Sequence, residues 1–471
     1  MKKLSLLIFL AFISVSLHAA DKIKIACIGN SITYGAGIEN RDTDTYPAQL
    51  QRALGDEYEI RNFGVNGRTA LFNGNLPYVK TQEYKESLEF APDIVIIKLG
   101  TNDSKTHNFG HIDEFPSNYQ DIIESYEALE SSPRIILVSP LKCYLTRDVE
   151  YTIDNDRLVK QITPMVQQAA YENGLEIING YPLCGDVLVE SILPDKLHPS
   201  AEGAGMMADH FSRVIAAKRD SQFDIFNTLI DGQEFNFYGY KGMEFASKGL
   251  NYKVVQPKVT NAQHSWVLRA RFWGHEPQVD QRLLEMGFHI VYCDVVDLYG
   301  SKEAVKRWDK FYKIMQRNGL SEKVVLEGMS RGGLIVYNWA VKNPRKVAAI
   351  YADAPVLDLN SWPLGYAKAT RESKQVLTLY GAKTKEQFST FKVNPIDNAE
   401  KIAKLNIPII HVIGKADDVV PYKDNTERFA EILKANGAQI EVIIKVGVGH
   451  HPHSLGDPKI IADFILEAVD L

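Results

Sequence analysis

Lys22-Ile23-Lys24-Ile25-Ala26-Cys27-Ile28-Gly29-Asn30-Ser31-Ile32-Thr33 is the stretch on which the fold turns. Its apolar run alternates with charge at the start and reads as a first β-strand. The strand ends at a glycine, and a small polar serine follows. The glycine allows a tight turn, and the rigid strand behind it holds the hydroxyl in one place. That suits a nucleophile, although a serine in such a turn equally serves as a helix cap. The stretch alone leaves both roles open.

Outward from it, the pattern of strand then helix repeats. Tyr58–Phe63, Ile94–Leu99, Ile135–Ser139 and Leu175–Ile178 are short apolar runs rich in branched residues. Helical spacing separates them, as in Leu158, Ile162, Val166 and Ala169, closed by Gly174. Alternation of this kind predicts a parallel sheet covered by helices on both faces. Ligands bind such sheets where the strands end. Ser31, Gly67 in Gly64-Val65-Asn66-Gly67-Arg68-Thr69, and Asn102 in Gly100-Thr101-Asn102-Asp103 follow the first three strands. Asp195 and His198, in Asp195-Lys196-Leu197-His198-Pro199, lie beyond the fifth.

Each of these has a task in acyl transfer. His198 can accept the Ser31 proton, and Asp195 can hold the imidazole and stabilise its charged form. The backbone N–H groups of Ser31 and Gly67 and the Asn102 amide can donate to a developing oxyanion. Taken singly, Gly67 reads as a turn glycine, Asn102 as an Asx turn or cap, and His198 as structural. Their joint occurrence, each at a strand end, favours the chemical reading.

Gly29-Asn30-Ser31, Gly67, Gly100-Thr101-Asn102-Asp103 and Asp195-x-x-His198 together resemble the blocks of the SGNH or GDSL-type esterases, over about Lys22 to Lys218. Asn30 stands where the name motif has aspartate, outside the triad. The resemblance implies a flavodoxin-like three-layer fold and hydrolysis of esters, often acetyl groups on carbohydrate. Asn62–Thr69 and Lys98–Lys105 further resemble carbohydrate and sialate O-acetylesterases.

A helix over about Ala201 to Lys218 should close this domain, and polar Lys218-Arg219-Asp220-Ser221-Gln222 marks the joint. The predicted organisation is a leader over 1–20, a first domain over 21–219 and a second over 220–471. The joint has little Gly or Pro, so a short connection and a packed interface are expected. Beyond it, alternation around Glu234–Tyr240 and Tyr252–Val255 predicts an antiparallel start. Strands follow at Trp266–Ala270, His289–Asp294, Val324–Glu327, Ala348–Ala352, Ile409–Ile413 and Glu441–Lys445. This is a second α/β domain.

Gly328-Met329-Ser330-Arg331-Gly332 fits G-x-S-x-G between a strand and the apolar helix Leu334–Val341, the setting of a nucleophile elbow. Asp417 and His450 each follow a later strand, in the order Ser, Asp, His. These placements resemble the α/β-hydrolases over about 222–471. The resemblance casts Ser330 as nucleophile, Asp417 as acid and His450 as base, with Asp418 and His451 as rivals. One oxyanion donor should be the Arg331 N–H, and the other a backbone group near Phe272 or Trp273.

Arg269, Arg271 and Arg331 lie where they could converge on that second site, and guanidinium forks suit a carboxylate. The alternative is pairing with Asp294, Asp297 or Asp353. Gly328-Met329-Ser330-Arg331-x-Gly333 also resembles the serine motif of glucuronoyl esterases, although a cysteine usually precedes that serine. Trp273 and Trp362 are candidates for stacking on sugar or aryl rings, with Trp266 and Trp339 read as core. Pro355–Lys404 stands where such folds often carry a cap. His450-His451-Pro452-His453 lacks an accompanying carboxylate motif, so no metal is assigned.

Composition sets the outer bounds. The chain of 471 residues exceeds one compact domain, and its net charge of -6 argues against broad nucleic-acid binding. Lys2 and Lys3, the apolar run Leu4–Leu17 and His18-Ala19-Ala20 have the order of a signal peptide. No later run is long enough for membrane insertion. The predicted location is periplasmic or secreted. Four cysteines are sparse for such a chain, and the loops of Cys143 and Cys184 could meet in a disulfide. The expected function is a bifunctional serine esterase acting on acylated poly- or oligosaccharide without metal or organic cofactor. The N-terminal site would remove acetyl groups, and the C-terminal site would cleave a methyl, uronoyl or aryl ester. Alternatives are one idle, glycan-binding domain or a C-terminal serine peptidase. The oligomeric state is not legible.

Overall fold

The computed structural model describes residues 22–145, 152–185 and 189–471. The expected leader over 1–20 therefore lies outside the described residues. In the first half, β1 (Ile23–Gly29), β2 (Tyr58–Gly64), β3 (Ile94–Lys98), β4 (Arg134–Val138) and β5 (Glu176–Ile178) form one parallel sheet. Their order, β2-β1-β3-β4-β5, is flavodoxin-like. β3 is buried at every position, as a strand covered on both faces must be, which is why it reads as a continuous apolar run. The topological switch lies between β1 and β3. The loops carrying Ser31 and Asn102 leave the sheet there in opposite directions and open a crevice.

The second half contains β6 (Arg219–Asp220), β7 (Gln233–Phe237), β8 (Tyr240–Ser247), β9 (Leu250–Val255), β10 (Thr260–Asn261), β11 (Trp266–Arg269), β12 (His289–Cys293), β13 (Val324–Met329), β14 (Val347–Asp353), β15 (Ile409–Gly414) and β16 (Glu441–Lys445). Nine of these make one sheet, ordered β16-β15-β14-β13-β11-β12-β9-β8-β7. It is antiparallel from β7 to β12 and parallel beyond. The antiparallel start expected around Glu234–Tyr240 is a hairpin, β7 and β8, which turns back at Tyr238-Gly239, both at positive φ. The expected joint forms β6, which pairs with β10 and ties the connection to the second half.

The halves share a packed interface. One apolar cluster contains Ile177 and Ile215 from the first half together with Phe237 and Leu284 from the second. The buried Tyr240 hydroxyl donates to the Ile177 carbonyl at 2.8 Å. Glu285 accepts from the Asn179 N–H at 2.7 Å and meets His210 Nε2 at 2.5 Å. Trp266 and Trp339 are core residues, as expected. Cys143 and Cys184 are buried free thiols, so the disulfide considered from their loops does not form. Among the described residues, no helix is long and apolar enough to cross a membrane.

Candidate active sites

Ser31 opens a one-turn helix directly after β1, with Asn30 as its cap: the Asn30 side chain accepts from the Ile32 N–H at 3.1 Å. The helix after β5, Ala201–Ala216, is capped by Ser200. The loop before it carries Asp195 and His198 over Ser31. His198 Nε2 lies 2.8 Å from Ser31 Oγ, and Nδ1 lies 2.6 Å from Asp195 Oδ2. An ionised carboxylate only accepts, so Nδ1 carries the proton and Nε2 faces the hydroxyl as acceptor. Asp195 also accepts from the Leu197 and His198 backbone N–H groups. Partial burial pushes its carboxyl up, but hydrogen bonds from the His198 ring and backbone outweigh this and hold it below the ordinary range.

Gly67 sits at φ 74°, a region glycine enters freely. The Asn102 amide donates to the Arg68 carbonyl at 3.0 Å, which fixes the Asn102 side chain against the Gly67 loop. One of its two N–H groups is spent on that bond, and the other is available to a ligand. Asp103 was not singled out from sequence, yet it holds the two loops together. It is fully buried and accepts from the Ala70 and Leu71 N–H groups at 3.2 and 2.9 Å. Burial pushes its carboxyl up to about 6 against those bonds. Its place in Gly100-Thr101-Asn102-Asp103 was the available signal.

The second constellation is built on β13. Ser330 follows this strand at φ 49°, a strained value for a serine, and its N–H donates to the Asp353 carbonyl at 2.8 Å. The turn requires small neighbours. A Cβ on Gly328 would come within 2.8 Å of Val336 Cγ2 and 3.0 Å of the Gly332 backbone. His450 Nε2 lies 3.0 Å from Ser330 Oγ, and its Nδ1 lies 2.7 Å from Asp417 Oδ2. Asp417 takes two further bonds from the Val419 and Val420 N–H groups. Asp417, rather than Asp418, therefore faces the imidazole, and His450, rather than the exposed His451, faces the serine.

Ser330 lies on a cleft of about 570 Å³ that also takes in Phe272, Trp273, Arg331, Trp362 and Tyr366. Phe272, at φ 54°, stands in the turn after β11. Trp362, itself buried, supports the Arg331 guanidinium at 4.7 Å, and Trp273 packs on Phe237 at 5.0 Å. Of the three arginines, Arg331 lines the cleft and Arg271 stands beside Arg331. Arg271 lies over the Phe272 ring at 5.0 Å, and its Nε and Nη1 are buried without a hydrogen-bond partner. Burial first, then the nearby Arg331 cation, pulls Arg271 below the ordinary arginine range. Arg331 reaches Asp297 only at 3.8 Å. Arg269 does not converge with them. It is buried between Asp280 and Glu327 and donates to the Phe272 and His275 carbonyls, so it shapes the turn from below.

Residues 27–206 match the GDSL-like Lipase/Acylhydrolase family, and residues 302–468 match the Prolyl oligopeptidase family. The chain is 36% identical over 222 residues to an acetylxylan esterase of Xylanibacter ruminicola, covering 43% of this chain and 45% of that protein. It thus spans less than half the length of that curated relative. Among solved structures, a puromycin-hydrolyzing peptidase of Mycobacterium tuberculosis is 15% identical and covers 47% of this chain and 37% of its own, with a TM-score of 0.37. Dipeptidyl peptidase 4 of Porphyromonas gingivalis is 16% identical and covers 49% and 35%, also at 0.37.

Proposed function

We propose, for a chain that is a GDSL-type acylhydrolase domain followed by an α/β-hydrolase domain, an exported carbohydrate esterase with two working sites. The observation that carries this is the doubled relay: each serine is within 3.0 Å of an imidazole that a carboxylate steadies from the far side. We place the boundary at 219/220, within β6.

At the first site the acetyl carbonyl of a decorated polysaccharide such as acetylxylan sits against Ser31. Ser31 Oγ attacks as its proton passes to His198 Nε2. The Ser31 and Gly67 N–H groups and the Asn102 amide receive the negative charge. The sugar hydroxyl leaves with the proton, and water repeats the cycle to release acetate. The similarity to an acetylxylan esterase supports acetyl as the acyl group.

At the second site Ser330, His450 and Asp417 act in the same way, with the Arg331 N–H and a backbone N–H near Phe272 as oxyanion donors. Arg271 supports an acid-bearing ester there, because its unpartnered N–H groups suit a uronate carboxylate. Trp273 and Trp362 frame the group beside it. The match of residues 302–468 to the Prolyl oligopeptidase family supports a second reading, a serine peptidase.

Ser31→Ala, Ser330→Ala and the double variant, assayed on acetylated xylan, methyl uronates, feruloyl esters and a chromogenic peptide, separate these readings. Acetate release should vanish with Ser31→Ala alone, and uronate ester cleavage with Ser330→Ala alone. Peptide cleavage lost in Ser330→Ala, with no ester tied to Ser330, would replace the esterase reading of the second site by the peptidase one. No change in any ester on Ser330→Ala, with no peptidase activity, would leave that half as a binding module.

A further inference from the structure

Beside Ser330 the chain gathers imidazoles that the acyl-transfer relay does not use. His275 comes from the turn after β11, and His451 and His453 from the loop after β16. One ring nitrogen from each lies within 4.8 Å of the other two. The rings face one another nearly at right angles, with centroids 4.8 to 5.9 Å apart. The sequence kept two of them, His451 and His453, in one short run without a carboxylate. Folding brings both the third imidazole and the missing carboxylate.

That carboxylate is Asp353, at the end of β14 and buried. Its Oδ1 lies 2.6 Å from His453 Nδ1, and its Oδ2 accepts from the Ser454 N–H at 2.7 Å. The carboxylate fixes the His453 tautomer, leaving Nε2 as a lone-pair donor toward the other two rings. A carboxylate behind an imidazole is the second-sphere arrangement that orients and strengthens histidine ligands. His275 is also anchored at its backbone, since its carbonyl accepts from the buried Arg269. Its side chain and that of His451 are exposed.

We propose that His275, His451 and His453 form a three-histidine site for a divalent transition metal, with Zn²⁺ the best fit, on the wall of the Ser330 cleft. Three neutral imidazoles at one point match a borderline-soft ion of flexible geometry better than Mg²⁺ or Ca²⁺, which want oxygen. A tetrahedral zinc ion about 2 Å from each nitrogen needs them roughly 3.4 Å apart. His453 is the fixed anchor, and the two exposed rings close on it by side-chain rotation. All three residues line the cleft, so the fourth position opens toward it. His450 lies 4.9 and 5.0 Å from the His453 and His451 rings, centroid to centroid. A bound ion and its water therefore occupy the space an acyl group crosses to reach Ser330. Occupancy shuts the second site and leaves the Ser31 site untouched.

The test is calorimetric titration of the untagged full-length chain with Zn²⁺, with Co²⁺ absorbance as a second probe. The expected result is one saturable site, and a visible Co²⁺ spectrum of a four-coordinate nitrogen-rich ion. His275→Ala and His451→Ala should both abolish the stoichiometric site while leaving the melting temperature in chelator unchanged. Both side chains are exposed, so neither variant threatens folding. Asp353→Asn should weaken binding on the order of 10- to 100-fold. The absence of a saturable site, or binding that His275→Ala leaves unchanged, overturns the proposal. These readouts do not depend on Ser330 being a nucleophile. Where Ser330-dependent hydrolysis is measurable, Zn²⁺ should inhibit it with the calorimetric dissociation constant. Inhibition that persists unchanged in His275→Ala also overturns the proposal.

Discussion

The two relays have nearly the same distances and very different surroundings. In the first, the Asp195 side chain is 55% exposed and its histidine is three residues away on the same loop. In the second, the Asp417 side chain is 1% exposed, and Asp417 and His450 come from separate strand ends. In the first, the acid and the base share one loop and the acid stands open to water. The second stands in a cleft walled by aromatic rings and cations. A walled cleft suits a group whose charge and shape are read before it reacts.

The largest expected effect tests that contrast directly. Asp417→Asn should lower kcat at the Ser330 site on the order of 10⁴-fold, because a buried amide cannot steady the imidazolium and favours the wrong tautomer. Asp195→Asn should cost less at the Ser31 site, roughly 10²-fold, because water reaches the exposed position and replaces part of the lost charge. Equal losses, measured with a Ser31-specific and a Ser330-specific ester, would break the comparison. Next in size, Asn102→Ala should lower kcat for acetyl ester by roughly 10²- to 10³-fold with little change in KM, since its free N–H acts on the oxyanion. Ser330-dependent turnover in the same variant should be unchanged. Smaller again, Arg271→Ala should raise KM for a uronate ester about tenfold, the size of one charge-assisted contact. A neutral aryl ester of similar size should not respond.

The fold is legible where strands are short, buried and bounded by turn residues. β1, β3, β13 and β15 are apolar runs bounded by turn residues, and the groups that follow them are confined to one sheet edge. Legibility ends where the partner is distant or ambiguous. The turn between β7 and β8 is not legible, because the alternation around Glu234–Tyr240 runs on across Tyr238-Gly239. Arg269 reads like Arg271, two positions on, but it ends β11 and is held among Asp280 and Glu327, whereas Arg271 lies in the turn beyond, where strand alternation no longer fixes its direction. His275 has no sequence link to His451, 176 positions away (451 − 275). The interface pair Glu285–His210 is equally silent, since each residue lies on a helix with ordinary amphipathic spacing.

That pair gives the last and subtlest test, whether two such different sites stand on one cooperative body. Burial pushes Glu285 up to about 7 from the ordinary 4.5, partly offset by Arg282 and the Asn179 N–H. Burial, then Arg282, Arg213 and Lys459, drives His210 well below 6.5. From about 4.5 to 6.5 the native Glu285 holds a proton that the unfolded chain releases, so its contribution to stability falls as pH rises. Over the same window the unfolded chain protonates His210 and the native chain does not, so that contribution rises with pH and the two nearly cancel. Above 6.5 only Glu285 still titrates, and stability should decline until about pH 7. Glu285→Gln removes the falling contribution and leaves the rising one. The stability of wild type relative to this variant should therefore drop by about 3 kcal/mol between pH 4.5 and 7.5. Melting followed separately by loss of Ser31 and Ser330 activity should shift together in both proteins. If the two activities melt apart, the halves unfold independently, and the contrast between the sites extends to the bodies that carry them.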